Sequence, residues 1–207
     1  MSTILVIDSA ATGDASVSRS LVRAAVEALK AEGATEVVYR DLDAAPIPHL
    51  TQSIVAGIRG EPASEREQDA RVLSDALIAE LRAADTIVIG APMYNFSVAT
   101  TLRSWFDHVL RAGETFRYTE KGPEGLLAGK RVIVVESRGG LYSEGPAQAL
   151  DFQEPYLRHL LGFMGIDDVT FVRAEKIGYG PEAREAAIAG ATSALREVAA
   201  AGLARAA

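Results

Sequence analysis

Five runs of strand length, each dense in valine and isoleucine, recur along the chain with helix-length amphipathic stretches between them. They are TILVID (3–8), TEVVYRDL (35–42), DTIVIGA (85–91), KRVIVVES (130–137) and DVTFVRAEKI (168–177). Runs that are apolar nearly throughout suit strands covered on both faces, and helices that cross over between parallel neighbours provide that cover. Between the first two runs, Leu21, Val22, Ala25, Val26 and Leu29 fall on one helical face, and the helix closes at Gly33. DARVLSDALIAELRAAD repeats the pattern with Val72, Leu73, Leu77, Ile78 and Leu81. VATTLRSWFDHVLRAG does so with Leu102, Trp105, Phe106, Val109 and Leu110, ending at Gly113. PYLRHLLGFMG leads into the fifth run, and an alanine-rich helix opening at Pro181 closes the chain. The expected fold is therefore α/β: a doubly wound three-layer sandwich around a five-stranded parallel sheet, forming one domain over residues 1–207.

Two segments exceed this minimal plan. Residues 43–68 delay the second helix, and residues 113–130 form a long connection before the fourth strand. Long connections in compact domains are usually functional or mobile.

Composition removes several function classes. With no cysteine there is no disulfide framework, thiolate nucleophile, Fe–S cluster or Cys-based zinc site. His49, His108 and His159 lie on separate segments without metal-ligand spacing, so no metal is expected. The 28 acidic and 21 basic residues give a net charge of -7, which argues against nucleic-acid and anionic membrane partners. MSTILVIDSA lacks the basic start and long apolar core of a signal peptide, and no apolar run approaches the roughly 18 residues of a membrane span. A cytoplasmic protein is expected.

Ligands of open α/β sheets bind outside the carboxyl ends of the strands, which here means three loops. The first, DSAATGDASVSRS, has neither G-x-G-x-x-G nor a P-loop motif, so a nicotinamide Rossmann site and a P-loop NTPase are not expected. Its Ser9, Thr12, Ser16, Ser18 and Ser20 precede or open a helix. Two readings stand: one serine is an N-cap, or hydroxyls and helix amides together hold a phosphate, with the helix dipole adding ~0.3–1 kcal/mol. In ESRGGLY, Gly139 and Gly140 either form an ordinary turn or let a flat ligand approach the main chain. In GAPMYNFS, Pro92 stiffens the turn, while Met93, Tyr94 and Phe96 either pack into the core or wall a planar ligand that Asn95 hydrogen-bonds. Asp8 ends the first strand, but a phosphoacceptor receiver also needs an acidic residue ending the third, where this chain has Gly-Ala-Pro. Together the three loops favour a phosphorylated flat heterocycle, of which FMN is the obvious candidate.

The stretch APMYNFSVATTLRSWFDHVLRAGETFRYTEKGPEGLLAGKRVIVVESRGG closely resembles the flavodoxin-like family of FMN-dependent NADH-azoreductases and NADH:quinone oxidoreductases. VIDSA and SVSRS, DLDAAPIP, PYLRHLLGFMGIDDVTFVRAE and YGPE extend the resemblance over nearly the whole chain. It implies the sheet order 2-1-3-4-5. It also implies that Ser9, Ser16, Val17 and Ser18 hold the FMN phosphate, that Met93, Tyr94, Asn95 and Phe96 contact the isoalloxazine and ribityl groups, and that Ser137, Arg138, Gly139 and Gly140 contact the pyrimidine side. Ala10 and Val17 depart from the serine and glutamine common in the family. A homodimer with one FMN per subunit and sites shared between subunits is implied, with Arg59, Phe116, Tyr118 and Phe163 near the open flavin face. The implied chemistry is ping-pong electron transfer from NADH or NADPH to quinones or to azo compounds cleaved to amines, carried by FMN with no catalytic amino acid required. A flavodoxin-like electron carrier without substrate turnover is the alternative; the two long excursions argue against it.

Overall fold

The computed structural model describes residues 2–206, with side chains through residue 201. Five parallel strands form the central sheet: β1 (Thr3–Asp8), β2 (Glu36–Asp41), β3 (Thr86–Pro92), β6 (Arg131–Ser137) and β7 (Asp168–Ala174). Their spatial order is β2-β1-β3-β6-β7, the order 2-1-3-4-5 expected once the extra strands β4 (Phe116–Thr119) and β5 (Gly122–Gly125) are set aside. Among the described residues there are six α-helices: α1 (Val17–Ala31), α2 (Val55–Arg59), α3 (Glu65–Ala83), α4 (Thr100–Val109), α5 (Glu154–Phe163) and α6 (Pro181–Ala206).

Side-chain alternation along the strands divides the interior into two layers. Leu5, Ile7, Ile87, Ile89, Val132 and Val134 face α3, α4 and α5, where Leu77, Leu81, Leu102, Trp105, Phe106, Leu157 and Leu161 fill the space. Ile4, Val6, Val88, Ile133 and Val135 face α1 and α6 and meet Leu21, Val22, Ala25, Ala191 and Leu195. The fold is thus the flavodoxin-like α/β sandwich. Because both faces are covered, the inner strands β1, β3 and β6 are buried almost throughout, while the edge strands β2 and β7 carry polar positions such as Glu36, Arg40 and Arg173.

Several sequence expectations shift on contact with the packing. Val72 stays 58% exposed, while Ala70, Ser74, Leu77, Ile78 and Leu81 form the buried face of α3. That helix begins at Glu65, not at Asp69, because Ser64 and Glu67 form a reciprocal capping box. Helix α4 stops at Val109, four residues before Gly113; the turn beyond it is held by the Thr115 hydroxyl, which donates to the Val109 carbonyl at 2.7 Å. The fifth strand of the sheet ends at Ala174, not at Ile177, since Lys176 takes φ 62 and Ile177–Tyr179 form a 3-10 turn.

The two excursions acquire structure of their own. Residues 43–68 include the short helix α2, and residues 113–130 fold into the antiparallel hairpin β4–β5. Gly125 fixes where the hairpin sits: a Cβ there would lie 2.0 Å from the Gly165 amide nitrogen, so the two backbones touch only because neither residue has a side chain.

Candidate functional site

The strand order reverses between β1 and β3, since β1 connects to β2 on one side and β3 lies on the other. At that point a cavity of about 290 Å³ opens, lined by Thr12, Ala15, Ser16, Val17, Pro92, Met93, Tyr94, Ser137, Arg138, Gly139, Ile177 and Arg184. The three loops singled out from the sequence therefore converge on one space.

The first loop is braced from below. Asp8 is fully buried at the end of β1 and accepts a 2.7 Å hydrogen bond from the Tyr39 hydroxyl. Arg19 grips both oxygens of Asp41, at 2.6 and 2.9 Å, and donates to the Ala10 carbonyl at 3.2 Å. Burial raises the Asp8 carboxyl above its ordinary range, opposed by the Tyr39 hydrogen bond and the Arg19 charge. Arg19 in turn lowers Asp41 to about 2.

Ser16 is the N-cap of α1, its hydroxyl accepting from the Arg19 amide at 3.2 Å and lying 3.0 Å from the Ser18 hydroxyl. The amides of Val17 and Ser18 open the helix and have no intrahelical acceptor. Ser9 is buried, and its hydroxyl donates to the Gly90 carbonyl at 2.7 Å, so it does not line the cavity.

The second loop is a tight turn of uncommon backbone. Tyr94 and Ser97 exchange backbone hydrogen bonds at 2.9 and 3.1 Å, and the two residues between them, Asn95 (φ 49) and Phe96 (φ 69), are both left-handed. Asparagine tolerates that conformation, whereas for phenylalanine it is strained. Met93 is tied to β6 through its amide and the Ser137 carbonyl at 2.9 Å. The Tyr94 hydroxyl accepts from the Ala11 amide at 3.1 Å, joining this loop to the first. Met93 and Tyr94 line the cavity; Asn95 and Phe96 point outward, and the Phe96 ring meets Tyr142 edge-on at 6.1 Å.

The third loop leaves β6 through Arg138. Its side chain is fully buried and turned away into a cluster of acids: Glu136 at 2.7 Å, Asp151 at 3.0 Å and Glu175 at 3.3 Å, with Gln153 accepting at 3.1 Å. Arg138 thus reaches the cavity through its backbone. Burial raises Glu136 to about 7 despite the neighbouring guanidinium. The carbonyls of Gly139 and Gly140 accept from Gly178 at 2.9 Å and Lys176 at 2.8 Å, which clamps the loop beneath residues 176–178. Among the described residues the Gly139 and Gly140 amides have no protein acceptor. A Cβ on Gly139 would meet nothing within 4 Å, so the main chain there is open to close approach.

Arg59, Phe116, Tyr118 and Phe163 do not join this cavity in one chain. Arg59, Phe116 and Tyr118 line a second space of about 400 Å³ with Arg71, Arg111 and Glu114. Phe163 does not line it but packs behind Phe116, with the two ring centroids 4.6 Å apart. His108 is buried with its Nδ1 3.0 Å from the Ser104 carbonyl, a structural position on the buried face of α4. Two lining residues escaped the sequence reading. The apolar run 168–177 places Ile177 in a strand, and Arg184 lies more than forty residues beyond the glycine loop, with no local motif to mark it.

The model of the flavodoxin-like fold family matches residues 2–199. An FMN-dependent NADH:quinone oxidoreductase of Hyphomonas neptunium is 65% identical over 200 residues, 96% of each chain. Another protein of that name, from Ralstonia nicotianae, is 51% identical, covering 94% of this chain and 96% of its own. Among solved structures, an azoreductase from Bacillus anthracis superposes with a TM-score of 0.88 at 28% identity, covering 96% of this chain and 99% of that one. An FMN-dependent NADH-azoreductase of the same organism, solved in complex with FMN, gives 0.86 at 25% identity, covering 97% and 98%. With the sheet order, the three converging loops and these relatives all in agreement, the chain belongs to the flavodoxin-like family of FMN-dependent NADH:quinone oxidoreductases and azoreductases.

Proposed function

We propose that this chain is an FMN-dependent reductase that takes electrons from a reduced nicotinamide and delivers them to quinones, and to azo compounds that it cleaves to amines. The observation that carries the reading is the cavity at the switch point, where a helix N-terminus, the unpaired Gly139 amide and the Met93–Tyr94 wall meet, with the unpaired Gly140 amide next in the chain. These groups fit FMN: a helix end suits a phosphate, a glycine main chain suits the edge of a flat ring, and Met and Tyr suit its face. The volume of about 290 Å³ sits at the lower edge of the ~300–1,000 Å³ typical of small-molecule sites, consistent with a cofactor left open on one side.

FMN, when bound, would supply the hydride chemistry that links a reduced nicotinamide to the acceptor. The protein's share is positioning and charge. Ser16, Ser18 and the first amides of α1 hold the phosphate end, while Met93 and Tyr94 orient the ring. The Gly139 and Gly140 amides favour negative charge on the pyrimidine edge, in the manner of an oxyanion hole. A quinone needs two electrons and two protons, one hydride equivalent and one proton; an azo bond needs twice that to give two amines, and the protons beyond the hydride come from solvent, since no side chain is needed as acid or base.

The active form is proposed to be a cytoplasmic homodimer that accepts NADH or NADPH. The division of the cofactor loops and the Arg59–Phe116–Tyr118 group between two separate cavities supports a site completed by a second chain. Purified protein is expected to carry a yellow flavin spectrum, to oxidise NADH steadily only when a quinone is present, and to sediment at twice the chain mass. Flavin binding without steady turnover would leave an electron carrier; turnover by a clean monomer would remove the shared site. Rates with NADH and NADPH against a panel of quinones and azo dyes then set the substrate range.

A further inference from the structure

We propose that Arg184 is a binding residue for the cofactor's terminal phosphate, supplying the positive charge that the serine loop of this chain lacks. The inference rests on the FMN reading above.

Of the residues lining the cavity, only Arg138 and Arg184 are charged, and no carboxylate is among them. The Arg138 guanidinium is committed to Glu136, Asp151 and Glu175. Arg184 is partly buried, and among the described residues its guanidinium has neither an ion-pair nor a hydrogen-bond partner. Several exposed arginines, Arg117 and Arg158 among them, find a carboxylate; among the described residues Arg66 and Arg196 do not, but both are exposed, whereas Arg184 is partly buried at the cavity.

Its place in the fold accounts for this. Arg184 stands one turn into α6, its amide bonded to the Gly180 carbonyl at 3.0 Å. Helix α6 packs beside α1 through Ala191 and Leu195 against Leu21 and Val22. Arg184 therefore shares the cavity wall with Thr12, Ala15, Ser16 and Val17, the end where α1 begins.

Hydroxyl arithmetic shows what the loop leaves undone. The Ser9 proton goes to the Gly90 carbonyl, and one proton is shared between Ser16 and Ser18. One hydroxyl proton of that pair, the Thr12 hydroxyl and the first amides of α1 remain, and all of them are neutral. Ala10 and Val17 bring no polar side chain. A phosphate monoester carries between one and two negative charges at neutral pH. A planar guanidinium, with its fork of donors, is the group suited to it.

The test compares FMN with riboflavin, which has the same ring system and ribityl chain but no phosphate. Apoprotein is titrated with each flavin and binding is followed by fluorescence quenching. Arg184→Ala is expected to weaken FMN about tenfold or more while riboflavin changes by less than about twofold, with Arg184→Lys falling between. Riboflavin binding by the same variant serves as the control for folding. The salt dependence of FMN binding is also expected to flatten in Arg184→Ala. An unchanged preference for FMN over riboflavin in that variant overturns the role of Arg184 and leaves the flavin reading intact. So does a wild-type protein that binds both flavins equally. A wild-type protein that binds neither flavin overturns the proposed function itself, and this inference with it.

Discussion

Two corners of the sheet, one beyond β1 and the other beyond β6, use the same components in opposite ways. At the first, Asp8 is buried at the strand end and Arg19 reaches in from α1, gripping Asp41 and the Ala10 carbonyl. The loop is held by an arginine outside it. At the second, the arginine is part of the loop: Arg138 leaves β6 and sinks among Glu136, Asp151 and Glu175, carrying the main chain with it. Arg19 and its partner Asp41 keep 11% and 24% of their side chains exposed and Arg138 and Glu136 none, so water relieves a broken Arg19–Asp41 contact at the first corner and cannot relieve the Arg138–Glu136 contact at the second. In both, the loop is shaped by buried charge without any ligand, and the two corners should fail to different degrees.

The sharpest break is Arg138→Met. It leaves Glu136 and its acidic neighbours without their shared cation, and removing one member of a buried ion cluster destabilises by about 3–5 kcal/mol. Chemical denaturation with an unchanged slope would read this out; a loss no larger than that of Arg19→Met would abolish the contrast.

The next effect is a dependence on pH. The Glu136 carboxyl is raised from 4.5 to about 7 by burial, so in the folded chain it keeps its proton through a range where the unfolded chain has lost it. Folding therefore takes up a proton between those values, and stability falls as pH rises through the window, by roughly 3 kcal/mol at most. Above about 7 the deficit stays constant. Glu136→Gln is expected to remove this part of the slope, seen as the difference between the wild-type and variant stability profiles; parallel profiles would mean the carboxylate is already ionised when buried.

Arg19→Met follows, at about 2–3 kcal/mol, since charged hydrogen bonds to Asp41 are lost and the Ala10 carbonyl loses its donor. Tyr39→Phe is the mildest, at about 1 kcal/mol, because it removes one hydrogen bond to Asp8. Melting curves of the two variants beside Arg138→Met would rank the corners.

Much of the architecture was legible in the chain. The five apolar runs and the helices between them follow from periodicity, because strands covered on both faces have no other economical sequence. Boundaries were less legible where a local signal competed with the pattern. The Ser64–Glu67 capping box begins α3 earlier than its apolar face suggests. The fifth strand of the sheet breaks at Lys176, where the chain turns to clamp the Gly139–Gly140 loop. The hairpin β4–β5 was invisible because GPEG has no strand propensity, and it forms only where Gly125 can lie against Gly165.

The site was legible as three loops, and its side-chain directions were not. Ser9 spends its hydroxyl on Gly90, Arg138 turns inward, and Arg184 arrives from the last helix, because each depends on partners distant in sequence.

The Tyr94–Ser97 turn has one further consequence. Its backbone wants glycine or asparagine at both central positions, while the ring of Phe96, 45% exposed and set against Tyr142, is something neither residue can provide. Holding a bulky residue in that conformation costs on the order of 1–3 kcal/mol. Exchanges there divide into those that relax the main chain and lose the ring, and those that keep a ring and retain the strain. Position 96 is thus a narrow gate for sequence drift, with few single steps open to it.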